Sequence, residues 1–187
     1  DNGPPSIDSV STSPVPVYTD DDLLAVPNGW VDVTGGSPRY RYRWFIDDGG
    51  TSGFVEDASI TTATYPNGKT EKHDLLYVEV TPYNDYGDGM IMDSAVAEVL
   101  NSPPEQPSVA FDPSSPQPDQ NVQAVILVPS YDADGDPVTY EYQWLINGVV
   151  STETTNVLPA GSSVNGDTIE VVVTPWDGEE YGTPASV

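Results

Sequence analysis

An all-β protein built as two tandem β-sandwiches is the fold the sequence predicts, and three observations carry it. The chain repeats itself: Tyr40, Tyr42, Trp44 and Ile46 return 100 positions later as Tyr140, Tyr142, Trp144 and Ile146. In both copies apolar and polar residues alternate at a period of two, the spacing of a strand with one buried face. Glycine (16) and proline (19) are abundant and no long stretch shows helical spacing, which favours many short strands joined by turns. Within 187 residues the repeat predicts domains at 1–100 and 101–187. Each half is just large enough to bury a core of its own.

Each half opens on a proline pair, Asn2-Gly3-Pro4-Pro5 and Asn101-Ser102-Pro103-Pro104, and the second pair reads as a short, stiff linker. A first strand is expected around Ile7 to Val10 and around Val109 to Phe111, followed by acidic turns at Tyr18–Asp22 and Gln117–Asn121. The second strand shows Val122, Ala124, Ile126 and Val128 at period two, with Leu23 and Ala25 as its counterparts. Next comes the Tyr-x-Tyr-x-Trp strand. An aromatic strand in the middle of a domain of about 100 residues is what an immunoglobulin-like sandwich builds its core on. The fold class is therefore all-β, with two tandem immunoglobulin-like β-sandwich domains.

Gly/Ser/Thr-rich segments after the aromatic strand read as short outer strands and loops, longer in the first half by turns at 48–53 and 66–69. A second match follows, Asp74–Tyr83 against Asp167–Trp176, with Leu76, Val78 and Val80 and then Ile169, Val171 and Val173 on one face. This strand lies either opposite the Trp strand or beside it in the same sheet. The first half closes with Ala95–Val99 as an alternating strand, whereas the second reaches only Ala185-Ser186-Val187, about six residues short by the repeat. A sandwich lacking that strand exposes an unpaired ladder, so the expectation is either continuation into further repeats or a strand supplied by a neighbouring copy.

Charge narrows the function classes. Thirty acidic residues face five basic ones, a formal charge of −25. Such a surface repels nucleic acid and anionic lipid and attracts divalent cations, although salt adaptation gives the same composition. There is no cysteine, hence no disulfide framework or thiol chemistry. Neither a transmembrane run nor a signal peptide is visible, and the opening Asp1-Asn2-Gly3 reads as a mature or excised segment. No nucleic-acid partner and no direct membrane insertion are expected.

Asp132-Ala133-Asp134-Gly135-Asp136 is the most specific local signal. Three carboxylates within five residues repel one another unless a cation is near, and the spacing suits a hard, oxygen-seeking ion such as Ca²⁺. It is not an EF-hand: Gly135 stands at loop position four rather than six, and Gln143 holds position twelve. Asp177 and Glu179, just beyond Trp176, are further candidate ligands; a metal-free Asp/Gly turn is the competing reading. The matching loop of the first half, Asp32–Ser37, keeps one carboxylate, so calcium is expected in the second domain only. Asn84, Asp85 and Asp88 carry oxygens nearby in sequence, with no pattern that selects them.

Arg39, Arg41 and Arg43 are three of the five basic residues and share the strand face opposite Tyr40, Tyr42 and Trp44. They form either a stripe that docks an acidic partner or a solvated face paired with cross-strand acids. Catalysis finds little support. His73 is the sole histidine, and neither a His/Cys metal cluster nor a phosphate loop is present. No enzyme activity is expected. Trp30, Tyr83, Trp176 and Tyr181 either stack on sugars or cap the ends of the sandwich.

The set Asn101-Ser-Pro-Pro104, Asp132-x-Asp-Gly-Asp-x-Val-Thr-Tyr-x-Tyr-x-Trp144, Asn147-Gly148, Gly166-Asp167 and Val173-Thr-Pro-x-Asp-Gly178 resembles the tandem Ig-like repeats of secreted and surface-anchored archaeal and bacterial proteins, in the style of polycystic-kidney-disease and cadherin-like modules. The first half shares it except at the Asp-rich loop. The resemblance implies an extracellular structural unit of a stalk, adhesin or filament, with calcium rigidifying junctions and neighbouring copies or repeats as partners. An accessory carbohydrate- or protein-binding module of a secreted enzyme is the alternative it leaves open.

Overall fold

Alternation decides which residues are inside, and the computed structural model, which describes residues 2–50 and 52–187, places them in two units, Asp1–Asn101 and Ser102–Val187. Asn101 goes with the first unit: it is buried, and its Oδ1 accepts a hydrogen bond from Lys72 Nζ at 3.0 Å.

The strands of the first unit are β1 (Ser9–Ser13), β2 (Val17–Tyr18), β3 (Leu23–Asn28), β4 (Tyr40–Asp47), β5 (Val55–Glu56), β6 (Thr64–Tyr65), β7 (Leu75–Asn84), β8 (Gly87–Asp88), β9 (Met92–Asp93) and β10 (Ala97–Leu100). One sheet has the order β1-β3-β6; the other runs β2-β10-β7-β4-β5, with β8 and β9 also on β7. The second unit has β11 (Ser108–Asp112), β12 (Val122–Val128), β13 (Thr139–Ile146), β14 (Val149–Val150), β15 (Val157–Leu158), β16 (Ile169–Trp176) and β17 (Ala185–Ser186). Its sheets are β11-β12-β15 and β14-β13-β16-β17. Each unit is thus an immunoglobulin-like β-sandwich, two facing sheets closed over one core.

The two strongest strands are neighbours in one sheet rather than opposed. Trp44 faces Val78 across β4 and β7, and Trp144 faces Val171 across β13 and β16. Both tryptophans are fully buried, and each indole N–H reaches a loop carbonyl, Thr62 at 2.9 Å and Thr155 at 2.8 Å. Trp44 packs on Tyr65 of the other sheet and Trp144 stacks on Phe111, so one side chain joins both layers.

Four local expectations need correction. Ile7 is buried but lies outside β1, which begins at Ser9. The inward alternation of β12 ends at Ile126, because a register shift at Ser108/Val109 leaves Leu127 and Val128 exposed. The last strand of the first unit starts at Ala97, not Ala95; Ala95 and Val96 face solvent, while Val99 is buried and pairs in parallel with Val17. In the second unit β17 pairs Ala185 with Val173, matching Met92 with Val80, so β17 corresponds to β9.

The proline pair is not a free linker. Pro104 is fully buried within the second unit, and a Cβ added at Gly182 would lie 1.9 Å from its carbonyl oxygen. Pro5 and Gly89 repeat the arrangement in the first unit, at 2.0 Å. Both glycines donate their N–H to a strand proline, Gly89 to Pro82 and Gly182 to Pro175. Each strut is held by its own sandwich.

An ionic latch closes the longer loops of the first unit. Asp57 accepts from Lys69 Nζ at 2.8 Å, from the Ser59 N–H at 3.0 Å and from the Tyr65 hydroxyl at 3.1 Å. Lys69 first, then Ser59, hold the Asp57 carboxyl well below the usual carboxylate range, and burial, with Asp57 as neighbour, pushes the Tyr65 phenol up. A carboxyl so depressed contributes stability that is present above its unfolded value and is lost as pH falls towards the folded one. Lys69→Met is therefore expected to lower the first unit's melting temperature most at neutral pH, with the gap to wild type shrinking as the solution is acidified below the carboxylate range. Melting curves taken across pH check this; a gap that stays constant into strong acid would contradict it.

Candidate metal centre

A tight Asp-Gly turn builds the site. Gly135 lies at φ 77°, and its N–H bonds the Asp132 carbonyl at 3.3 Å. That turn folds the backbone amides of Asp134 and Asp136 onto Asp132 Oδ1, each at 3.0 Å. Ligand oxygens of Asp132, Asp134 and Asp136 then fall within 4.8 Å of one another. That is about the widest separation two oxygens can have on one calcium ion, twice a bond of roughly 2.4 Å. Asp132 is buried, and its Oδ2 has no hydrogen-bond partner. A buried carboxylate oxygen left without a donor is costly, and a cation would satisfy it. Among the described residues this is the group of carboxylates drawn together so closely.

Asp134 also ties the loop to the chain entering the unit. Its Oδ2 accepts the Ser102 N–H at 2.6 Å, just ahead of the proline pair. Sequence reasoning missed Ser102, since a backbone amide leaves no mark in a motif. Asp177 and Glu179 stand outside the clustered group. Asp177 is buried, and its Oδ1 accepts the N–H of Glu179 at 2.6 Å and of Glu180 at 2.7 Å. Glu179 is exposed.

In the first unit the same turn lacks the clustered carboxylates, although Asp32 Oδ2, like Asp132 Oδ2, is buried without a hydrogen-bond partner. Gly35 repeats the positive φ, and Asp32 Oδ1 accepts from the Thr34 N–H at 2.9 Å, the Thr34 hydroxyl at 2.7 Å and Asn84 Nδ2 at 3.2 Å. Those bonds, from Thr34 above all, hold the Asp32 carboxyl below its ordinary value. Asp85 and Asp88 are engaged elsewhere, by Arg39 at 2.7 Å and by Arg41.

The arginine stripe pairs with acids of its own unit. Besides the two pairs just named, Arg43 binds Glu56 and Glu79, each at 2.7 Å, with its guanidinium raised above its usual value chiefly by Glu56. Arg39 and Arg41 also lie over the Tyr83 ring at 4.9 and 4.1 Å. Each of Arg39, Arg41 and Arg43 thus pairs with an acid of its own unit while its side chain stays 40–56% exposed. The four end aromatics are likewise engaged. Trp30 packs edge-on to Tyr40 and donates to the Gly36 carbonyl, Tyr83 carries the two arginines, and Trp176 lies 4.4 Å from the Tyr181 ring.

No protein-family model matches the chain, and no curated protein does. Among solved structures, the FN1–FN3 domains of chicken CNTN1 align with all of this chain at 12% identity and a TM-score of 0.41, and the chain spans only 65% of their length. The chicken interferon gamma receptor alpha chain aligns over all of this chain and 98% of its own at 10% identity, with a TM-score of 0.49. A Dscam structure aligns at 14% identity and a TM-score of 0.36, with 45% of that chain covered. The fold assignment stands on the sheet order and register described above. Among the described residues no helix is long and apolar enough to cross a membrane.

Proposed function

We propose that the chain is a non-catalytic structural unit of an extracellular surface protein or filament, whose second sandwich takes up one calcium ion. The observation that carries this reading is the triad of Asp132, Asp134 and Asp136, whose ligand oxygens lie within 4.8 Å of one another. Those three residues would hold the ion, and calcium would supply the charge that cancels their mutual repulsion. Because Asp134 also grips the Ser102 amide, a bound ion would fix the segment leading into the unit as well as the loop itself. The proline strut locked on Gly182 supports the same role, since it makes the entry to the sandwich rigid. The acidic surface of charge −25 keeps such a unit soluble and draws divalent cations towards it.

The test is a calcium titration of the whole chain, following melting temperature and particle size together. With free calcium a hundredfold above the dissociation constant, stabilisation of the second unit is expected to be about 2.7 kcal/mol. For a domain of this size that raises its melting temperature by roughly 10–20 °C. Asp134→Asn is expected to abolish the rise. Growth in particle size with calcium would support assembly into a filament. A melting temperature that ignores calcium at any concentration would sink the metal site.

A further inference from the structure

One sheet of the second unit is open along part of its edge. We propose that this edge, the outer side of β13 at Tyr140–Tyr142, binds an extended basic peptide segment by adding it to the sheet as a further strand.

The sheet order leaves room for it. β13 lies between β14 and β16, but β14 covers it only at Leu145 and Ile146. Backbone direction decides which groups face the uncovered length. In an antiparallel pair, residues alternate between bonding the partner strand and pointing away from it. The Trp144 carbonyl points away from β16, since it accepts the Ser151 N–H at 2.8 Å. At period two, Tyr142 and Tyr140 therefore turn their N–H and C=O outward as well. Among the described residues no strand pairs with them on that side. Such a row of backbone donors and acceptors is a template for one more strand.

The repeat accounts for the space beside the edge. In the first unit Arg43 faces Glu79 across β4 and β7 and binds it, and the same guanidinium binds Glu56 of β5. That strap of ion pairs covers the sheet face next to the strand edge. At the matching positions of the second unit Gln143 faces Val172, a pair that cannot form it, and Glu141 stands where the first unit has Arg41. Tyr140 and Tyr142 line a cavity of about 540 Å³ there, together with Glu141, Gln143, Val172 and Thr174.

Charge selects the occupant. Glu141 is exposed, its Oε1 accepts the Tyr181 hydroxyl at 2.8 Å, and the chain as a whole carries −25. A strand laid beside β13 puts every second side chain on the face of Glu141. A lysine or arginine at that position meets the carboxylate across the strand pair, with its methylenes entering the cavity. The residues between them face Tyr140 and Tyr142 and make the backbone bonds. In the first unit the acids of this face are already paired with Arg41 and Arg43.

Amide exchange of the intact chain, followed by NMR in chelator with a short synthetic peptide of alternating lysine and threonine, tests this. The peptide is expected to slow exchange of the Tyr140 and Tyr142 N–H groups by roughly tenfold or more. The same peptide with proline in place of threonine keeps the charge but lacks the N–H groups that would bond β13, and it is expected to protect neither. Glu141→Arg with Gln143→Arg copies the first unit at two exposed positions, where substitution leaves the fold in place, and is expected to abolish the response. If neither peptide slows exchange, the inference falls. If the proline peptide protects as well, charge alone holds it and no strand is added. If the two amides are protected in the chain alone and lose that protection on dilution, the edge pairs with a second copy, which overturns the inference equally.

Discussion

Replacing Trp144 by alanine is expected to unfold the second unit while leaving the transition of the first in place. Trp144 is fully buried, stacks on Phe111 from the facing sheet and donates its indole N–H to the Thr155 carbonyl. Truncation removes the side chain that joins both layers and takes away the donor of the Thr155 carbonyl. Large-to-small changes of this kind cost about 3–5 kcal/mol, and the lost hydrogen bond adds about 1 kcal/mol. The second core has fewer buried apolar side chains to absorb the loss: Val122, Ala124, Leu158, Val171 and Val173 are what remains. A sandwich of that size has only about 5–15 kcal/mol in all. Calorimetry should show one transition lost or moved down by more than about 15 °C, with Trp44→Ala doing the same to the other unit. A second-unit transition within a few degrees of wild type would contradict the packing described.

Gly182→Ala is expected to be the next most damaging single change, although it adds one methyl at a surface turn. The new Cβ would meet the Pro104 carbonyl oxygen at 1.9 Å and its carbon at 2.8 Å. Neither is the tip of a flexible side chain: both belong to a buried proline whose φ is fixed by its ring. Either the strut lifts off or the turn moves, and overpacking of this sort costs about 1–3 kcal/mol. Gly135→Ala makes the contrast. Nothing lies within 4 Å of a Cβ there, so only the positive φ is strained, at about 1 kcal/mol. The melting temperature of the second unit should therefore fall further for Gly182→Ala than for Gly135→Ala. The reverse order would mean that the strut is not held where it is described.

Why was so much of this visible in the residues? The sandwich core was legible because burial follows parity: once Trp44 points inward, Tyr42, Tyr40 and Ile46 must follow, and the same holds for Leu76, Val78 and Val80. The Asp-rich turn was legible because three like charges at that spacing demand a reason. The glycine–proline locks were not, since the close approach of Gly89 to Pro5 leaves no periodic trace in a chain with many glycines. Nor was the parallel pairing of Val99 with Val17, which brings together segments far apart in the sequence. The arginines read equally well as a docking stripe or a paired face, because pairing depends on Asp85, Asp88 and Glu56 reaching across strands.

The pair formed by β2 and β10 carries a mechanical consequence. One strand stands near the start of the first unit and the other at its end, and they run in the same direction, Val17 beside Val99 and Tyr18 beside Leu100. A pull that separates the two ends of the unit drags these strands past each other along their length. Their cross-strand bonds are then loaded in shear and have to part together, whereas strands peeled apart from one end give way one bond at a time. Val17 and Val99 are both buried in the core, so sliding the pair also draws apolar surface into water. Tension on the two ends of the first sandwich is therefore expected to meet this short clamp in shear.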